Sequence, residues 1–472
     1  MTSLNYSQFF NIIDGRSKTT QQVRHGINPA NKEQLWPAPV SSREDVDDAV
    51  DAARRAAPAW AETSWEDRRK RVCQLADALE GSAGEFAKLL VLEQGKPISV
   101  ARHEVGQAVI MLRGSAKNSL PDQIVEETAE HRVLTRYIPV GVCVGIVPWN
   151  LNFKLGPALM AGNPMIIKPS PFTPYTGLKF IELAQGFFPP GVVQALAGGD
   201  ELGPWLTEHP GVDKVSFTGS TPTGIRVLQS CSKTLKRVTL ELGGNDPAIV
   251  HPEVDIQATA ANIGTLALYN SGQVCIAIKR VYVHSSIYDE FAQALAKFVQ
   301  SMTVGDGMNE TTQIGPVQNE MQYGKLKSLV AAIKRDGLKT LTGDLDNCFA
   351  NDKGYFMSPV VIDNPPDDSE IVTEEPFGPI FPLLKWDNEE DVIRRANDST
   401  NALGASIWSK DRVAASRMAR RLQAGTVWIN KHMELRPDAA FGGLKQSGMG
   451  CELGAEGLKA YCNVQTINAD VL

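Results

Sequence analysis

The chain has 472 residues, with 47 Lys and Arg against 54 Asp and Glu and a net charge of −7. Hydrophobic residues make up 43% and charged residues 21%, the mix of a packed globular chain rather than a disordered or fibrous one, and at ~150 residues per domain the length implies about three domains. The acidic balance, with no dense Lys or Arg cluster, speaks against phosphate-backbone binding, so no nucleic-acid partner is expected.

Residues 1–18 lack a basic stretch followed by a sustained apolar run, so no secretory signal is expected. No run approaches the ~18 apolar residues of a membrane helix. After Ser41 and Ser42, possible N-caps, apolar Val46, Ala49, Val50, Ala53 and Ala57 recur at helical spacing opposite Glu44, Asp47, Asp48, Asp51 and Arg54. A second helix is predicted from Trp65 to Leu79, with Val72, Leu75, Ala76 and Leu79 on one stripe. Residues 123–137 alternate polar and β-forming residues in two short pieces around 127–130, which reads as an exposed hairpin arm.

From residue 140 the texture changes. Runs rich in Val and Ile occupy 140–147, 164–167, 192–196, 214–218 and 238–242, with 247–250 close behind. Spacings of roughly 20–30 residues leave room for a crossover helix, and continuous rather than alternating hydrophobicity means both faces are buried. A parallel, doubly covered sheet is predicted. From residue 281 to about 440 a second series of helices and strands follows.

In open parallel sheets, ligands bind beyond the carboxyl ends of the strands. The segments there are Pro148-Trp149-Asn150, Lys168-Pro169-Ser170, Ala197-Gly198-Gly199, Thr218-Gly219-Ser220-Thr221 and Glu241-Leu242-Gly243-Gly244. Parallel strands would bring all five to one rim. Thr218–Gly224 is either a phosphate-binding helix N-terminus or an ordinary turn; it is not the G-x-G-x-x-G fingerprint. Lys168 is either a ribose or phosphate contact or a solvated strand end. Glu241, between apolar residues and a Gly-Gly pair, is either a general base with a raised pKa or a paired carboxylate.

Seven cysteines lie far apart with no C-x-x-C pair, which fits a reducing compartment and a cytoplasmic location. Three N-x-S/T sequons, beginning at Asn5, Asn309 and Asn397, are read as chance occurrences in such a setting. Cys275 follows Asn270-Ser271-Gly272-Gln273-Val274, where a glycine turn permits an exposed, activated thiol; the alternative is a buried packing residue. None of the seven histidines has H-E-x-x-H or paired spacing, so no metal site and no Cys–His dyad is expected. Such a thiol must draw its activation from a cofactor, a backbone dipole or a carboxylate.

Together with Glu374-Glu375-Pro376-Phe377-Gly378-Pro379 and Phe441-Gly442-Gly443-Leu444-Lys445-Gln446-Ser447-Gly448, these motifs make the chain resemble the aldehyde dehydrogenase superfamily over nearly its whole length. The resemblance implies an NAD(P)-dependent oxidoreductase converting an aldehyde to a carboxylic acid. Cys275 would attack the carbonyl. The Asn150 amide and the Cys275 N–H would hold the oxyanion, each worth roughly 3–4 kcal/mol. Hydride transfer to the nicotinamide would leave a thioester, which Glu241 would hydrolyse by activating water, and a carboxylate there favours hydrolysis over transfer to coenzyme A. By the same likeness Pro148, Trp149, Lys168, Ser170, Gly199, Gly203, Phe217, Gly219, Ser220, Thr223, Leu242 and Gly243 would line the dinucleotide site. Glu375 would hold the nicotinamide ribose beside Phe377. Leu435 and Phe441 would line the aldehyde tunnel.

The implied fold is α/β: a Rossmann-like parallel-sheet dinucleotide domain (1–117 and 138–243), an α/β catalytic domain (244–443) and a small β bridging arm (118–137 and 444–472) that pairs subunits into a homodimer or homotetramer. NAD is the expected cofactor, with NADP open, since Pro171 stands where NAD-preferring relatives often carry a ribose-binding carboxylate. After Asn150 roughly five residues of the family pattern are missing, which at ~1.5 Å rise shortens a helix by about 7 Å. The expectation is a wider, altered tunnel or, alternatively, a catalytically impaired structural or binding member.

Overall fold

The computed structural model describes residues 4–149 and 152–470; Asn150 lies outside them. The first long helix, Arg43–Glu62, opens on Ser42, whose hydroxyl accepts from the Asp45 N–H while the Asp45 carboxylate accepts from the Ser42 N–H at 2.8 Å. This reciprocal cap satisfies two N–H groups that the helix itself leaves free. Trp65–Gly81 starts on Ser64, whose hydroxyl accepts from the Asp67 N–H, and its stripe Val72, Leu75, Ala76 and Leu79 is buried.

Ahead of these helices the chain forms four short strands, Asn11–Ile13, Arg16–Lys18, Val23–Ile27 and Gln34–Pro39, which the sequence reading did not anticipate. They run three to six residues, too short for a period of two to stand out from the polar residues between them.

The first large sheet carries the predicted parallel core. Val193–Ala195, Met165–Pro169, Cys143–Val147, Lys214–Thr218 and Arg237–Glu241 lie side by side in that order, all parallel. In chain order this is 3-2-1-4-5, so the direction of winding reverses between Cys143–Val147 and Lys214–Thr218, where a doubly wound sheet opens a crevice at its carboxyl edge. Cys143–Val147 and Met165–Pro169 are buried throughout, the physical source of the continuous apolar runs Cys143–Val147 and Met165–Ile167.

The second sheet runs Thr340–Thr342, Val360–Asp363, Ile380–Trp386, Ile278–His284, Asp246–Val250, Gly404–Trp408 and Thr426–Ile429, parallel except for its first strand. The arm is a separate antiparallel sheet in which His131–Pro139 pairs with Gln123–Glu127 on one side and Cys462–Asp470 on the other. Gly448–Met449 adds to the edge of the first sheet and Leu444–Lys445 pairs with Asn401–Ala402, so the chain after residue 443 touches the first sheet and the Asn401–Ala402 strand before it joins the arm. The whole is the α/β architecture the motifs imply. After the shortened stretch the chain enters the helix Asn152–Met160, whose Leu155, Ala158, Leu159 and Met160 are fully buried. No helix of the described residues is long and apolar enough to cross a membrane.

Candidate active site

The strand-end turns open into one cleft of about 2570 Å³. Pro148 and Trp149 follow the strand Cys143–Val147; Gly219, Ser220 and Thr223 follow Lys214–Thr218, across the reversal point. Lys168, Ser170, Gly199, Gly203, Phe217, Leu242 and Gly243 line the same space, as do Glu375, Phe377, Leu435, Phe441, Glu241 and Cys275. Every described residue nominated from the sequence therefore faces one cavity.

On the side of the first sheet the surfaces suit a dinucleotide. Helix Thr221–Ser232 begins at Ser220, whose side chain does not cap it, so its first N–H groups and positive dipole end are available to a phosphate. A Cβ on Gly219 would stand 2.5 Å from the Phe217 ring, which explains why that turn is glycine. Lys168 is only 6% exposed, and its ammonium donates one long bond of 3.4 Å to the Pro169 carbonyl. Burial pushes its pKa down to about 8.

The cysteine is presented by a bent loop. Asn270, Ser271 and Gly272 take φ of 52°, 58° and 71° in succession, a left-handed path that costs of order 1–3 kcal/mol per non-glycine residue. A Cβ on Gly272 would lie 2.1 Å from the Gly378 carbonyl. The path is held by Ser271 Oγ donating to Gly315 O at 2.9 Å, Asn270 Nδ2 donating to Gln273 O at 3.1 Å, and Gln273 Oε1 accepting from Gln318 N–H at 2.8 Å. Cys275 emerges partly exposed. Burial of the sulfur pushes the thiol up to about 12, opposed by the charge of Lys279.

Two carboxylates, buried Glu241 and half-buried Glu375, act electrostatically on this thiol. Glu375 is paired: its Oε1 lies 3.2 Å from Lys279 Nζ and accepts from the Gly244 N–H at 3.3 Å. Glu241 is not. Neither of its carboxyl oxygens has a hydrogen-bond partner among the described residues, and burial drives its pKa well above the ordinary carboxylate value, with Lys154 opposing and Glu452 adding to the rise.

The sequence profile of the aldehyde dehydrogenase family matches residues 16–467. The chain belongs to the aldehyde dehydrogenase family. It is 41% identical to an aldehyde dehydrogenase of a Fusarium species, over 98% of this chain and 99% of that one. Among solved structures it is similar to the betaine aldehyde dehydrogenase of Staphylococcus aureus in complex with NAD+, with 31% identity, a TM-score of 0.93 and coverage of 98% and 95%. It is also similar to an E. coli NADP-dependent enzyme, with 31% identity, a TM-score of 0.95 and coverage of 100% of both chains. An NAD(P)-dependent oxidation of aldehydes follows from this membership. Nothing in the matches or in the open cleft favours the impaired alternative.

The structure adds residues to this family member's site that sequence reasoning passed over. Lys154 and Glu452, 298 positions apart, form a buried pair at 3.1 Å behind Glu241, with Ser216 accepting from Lys154 Nζ at 2.9 Å. Lys279 ties the Val274 and Cys275 carbonyls, at 2.7 and 2.9 Å, to Glu375. The Gly243 carbonyl accepts from Ser447 Oγ at 2.6 Å and Asn401 Nδ2 at 2.9 Å. A lone Lys in an otherwise apolar helix, Lys154 in Asn152–Met160, was the one available signal. Opposite the dinucleotide side the cleft wall is apolar, built from Met111, Phe153, Ile276, Met433, Leu435 and Phe441.

Proposed function

We propose that Cys275 is the nucleophile and Glu241 the general base of a hydrolytic aldehyde oxidation. The observation that carries this reading is the pairing of one partly exposed thiol with one buried carboxylate whose oxygens have no donor, both on the wall of a single cleft. A carboxylate left without donors keeps its lone pairs for a proton, and its raised pKa brings it toward the range of a useful base.

In this reading Glu241 takes the Cys275 proton, directly or through a water. The sulfur then bonds to the aldehyde carbon, and the negative charge gained by the oxygen would be stabilised by the Cys275 N–H and, as the family likeness implies, by the Asn150 amide. A dinucleotide held in the cleft would supply the hydride acceptor that oxidation of this adduct requires. A thioester remains on Cys275; Glu241, having passed the first proton to solvent, draws a proton from the water that attacks the thioester and gives it to the departing sulfur, which releases the acid and restores the thiol. Glu375, fixed by Lys279, binds the ribose hydroxyls beside the reacting carbon. Trp149, Lys168, Ser170, Gly199, Gly203, Phe217, Gly219, Ser220, Thr223, Leu242, Gly243 and Phe377 hold the rest of NAD or its 2′-phosphorylated form, and Leu435 and Phe441 contact the aldehyde.

The boundaries 1–117 with 138–243, 244–443, and 118–137 with 444–472 describe the dinucleotide, catalytic and arm units. The arm exposes Ile124, Val125, Val464 and Ile467, which supports its role in pairing copies into a dimer or tetramer. Seven free thiols fit a reducing compartment such as the cytoplasm. The test is the formation of reduced nicotinamide with a panel of aldehydes: turnover in the wild type and a loss of at least ~10⁴-fold in Cys275→Ala support the assignment, and undiminished turnover in Cys275→Ala overturns it.

A further inference from the structure

The loop that follows the strand Thr426–Ile429 carries Met433 and Leu435 to the apolar wall of the cleft, and it is bent against its own preference. Asn430 and Met433 take φ of 56° and 62°, left-handed conformations that persist only where surrounding contacts impose them. Asn430 exchanges two bonds with Ser409, its Nδ2 donating to the carbonyl and its Oδ1 accepting from the N–H, both at 2.8 Å. Trp428 Nε1 donates to the Glu434 carbonyl at 3.0 Å. Between these two ties His432 turns inward, its side chain fully buried and its ring centroid 4.6 Å from that of Trp428.

His432 Nε2 lies 2.9 Å from the Ile276 carbonyl oxygen and 3.5 Å from Asp246 Oδ2. A carbonyl and a carboxylate only accept, so this nitrogen donates. Nδ1 has no partner among the described residues, and the polar hold on the ring therefore runs through Nε2 alone. Asp246 is itself fixed. Its Oδ1 accepts from the Gly404 N–H at 3.0 Å, and glycines keep its place clear, since a Cβ on Gly244 or Gly404 would collide with the carboxylate. Ile276 directly follows Cys275, and its side chain belongs to the same apolar wall. With Lys279 on the Val274 and Cys275 carbonyls, three successive carbonyls around the thiol accept from buried side chains. The third bond comes from the loop that builds the wall.

We infer that His432 is a positioning residue for the oxidation: it clasps Ile276, next to the thiol, to the loop of Met433 and Leu435, with Asp246 orienting its ring, so that the sulfur and the surface that receives the aldehyde keep one fixed geometry. The inference rests on the reading of Cys275 as the nucleophile. Reacting groups must be held within about 0.5 Å of their productive placement, and a displacement of about 1 Å costs ~10²-fold in rate. A single donor joining the two segments is where such a displacement would arise.

Steady-state kinetics with hexanal as the probe aldehyde, alongside urea unfolding, test this. His432→Phe keeps a ring against Trp428 and removes the donor; it is expected to lower kcat/KM for hexanal by ~10–10²-fold while the KM for the dinucleotide stays within about two-fold. His432→Gln, which returns an N–H toward the Ile276 carbonyl, is expected to recover to within about three-fold of the wild type. Asp246→Asn should fall between the two, and its combination with His432→Phe should lose no more than His432→Phe alone, because the pair acts as one unit. If His432→Phe does not fold, a well-recovered His432→Gln beside an Asp246→Asn that is at least about five-fold down supports the clasp, and the reverse order overturns it. Wild-type kinetics in His432→Phe, equal losses in the Phe and Gln variants, or a dinucleotide KM that rises as much as the aldehyde term also overturn the clasp, and they leave Cys275 standing. Undiminished turnover in Cys275→Ala overturns both readings.

Discussion

The neighbourhoods of Glu375 and Glu241 border the same cleft and supply a carboxylate with different partners. Around Glu375 the chain supplies the Lys279 ammonium and the Gly244 N–H. Around Glu241 it supplies no donor, and the nearest charges belong to Lys154 and Glu452, which are bonded to one another. Burial raises the Glu375 pKa too, but the Lys279 ammonium and the Gly244 N–H oppose the rise and hold the carboxylate in position, which suits a fixed contact to a ligand. One denied donors is costly to ionise and ready to take a proton, which suits proton transfer. The same residue type thus serves two purposes, and the difference lies in what surrounds it.

That contrast can be broken by changing the surroundings. Lys154→Met leaves Glu452 buried without its cation, a change expected to cost about 3–5 kcal/mol in urea unfolding. It also removes the attraction that restrains the Glu241 pKa, so the acid limb of kcat should move to higher pH. Unchanged stability and an unmoved limb would show that the pair is not coupled to Glu241.

Glu241→Gln is expected to lower kcat by ~10²–10³-fold. The pH dependence has a fixed sign. A carboxyl whose pKa is raised in the folded chain stays protonated while its unfolded counterpart ionises, so the folded state binds more protons across that window. Wild-type stability should therefore fall as pH rises above the ordinary carboxylate value, by up to ~1.4 kcal/mol per pH unit, and kcat should rise over the same window. The variant should lose the rise in kcat and show a shallower fall in stability, the remainder coming from other buried carboxyls such as Glu93. Identical pH profiles for the two proteins would contradict the base assignment.

Glu375→Gln keeps the shape and removes the charge that Lys279 balances. Its expected effect is smaller, a rise of about ten-fold in the KM for the dinucleotide with kcat less affected. A loss of kcat as large as that of Glu241→Gln would mean the two carboxylates share one role.

Much of this is legible in the sequence, for identifiable reasons. The parallel strands declared themselves because burial on both faces makes them continuously apolar, and the chemistry-bearing turns could be read because each directly follows such a strand. The short strands Asn11–Ile13 and Val23–Ile27 could not be found in this way, since their hydrogen-bond partners, and not their own composition, make them strands. The cysteine and both carboxylates were visible as residues in motifs, but their unlike environments were not. Lys154 meets Glu452 across 298 positions and Lys279 meets Glu375 only after the second sheet has folded.

The division of labour between thiol and carboxylate is tested most directly by intact and peptide mass spectrometry of Glu241→Gln mixed with an aldehyde and the oxidised dinucleotide. The account predicts one acyl group per chain, located on the peptide that holds Cys275, formed together with one equivalent of reduced nicotinamide and long-lived relative to wild-type turnover. An unmodified Cys275 in a variant that still releases acid at the wild-type rate would contradict it.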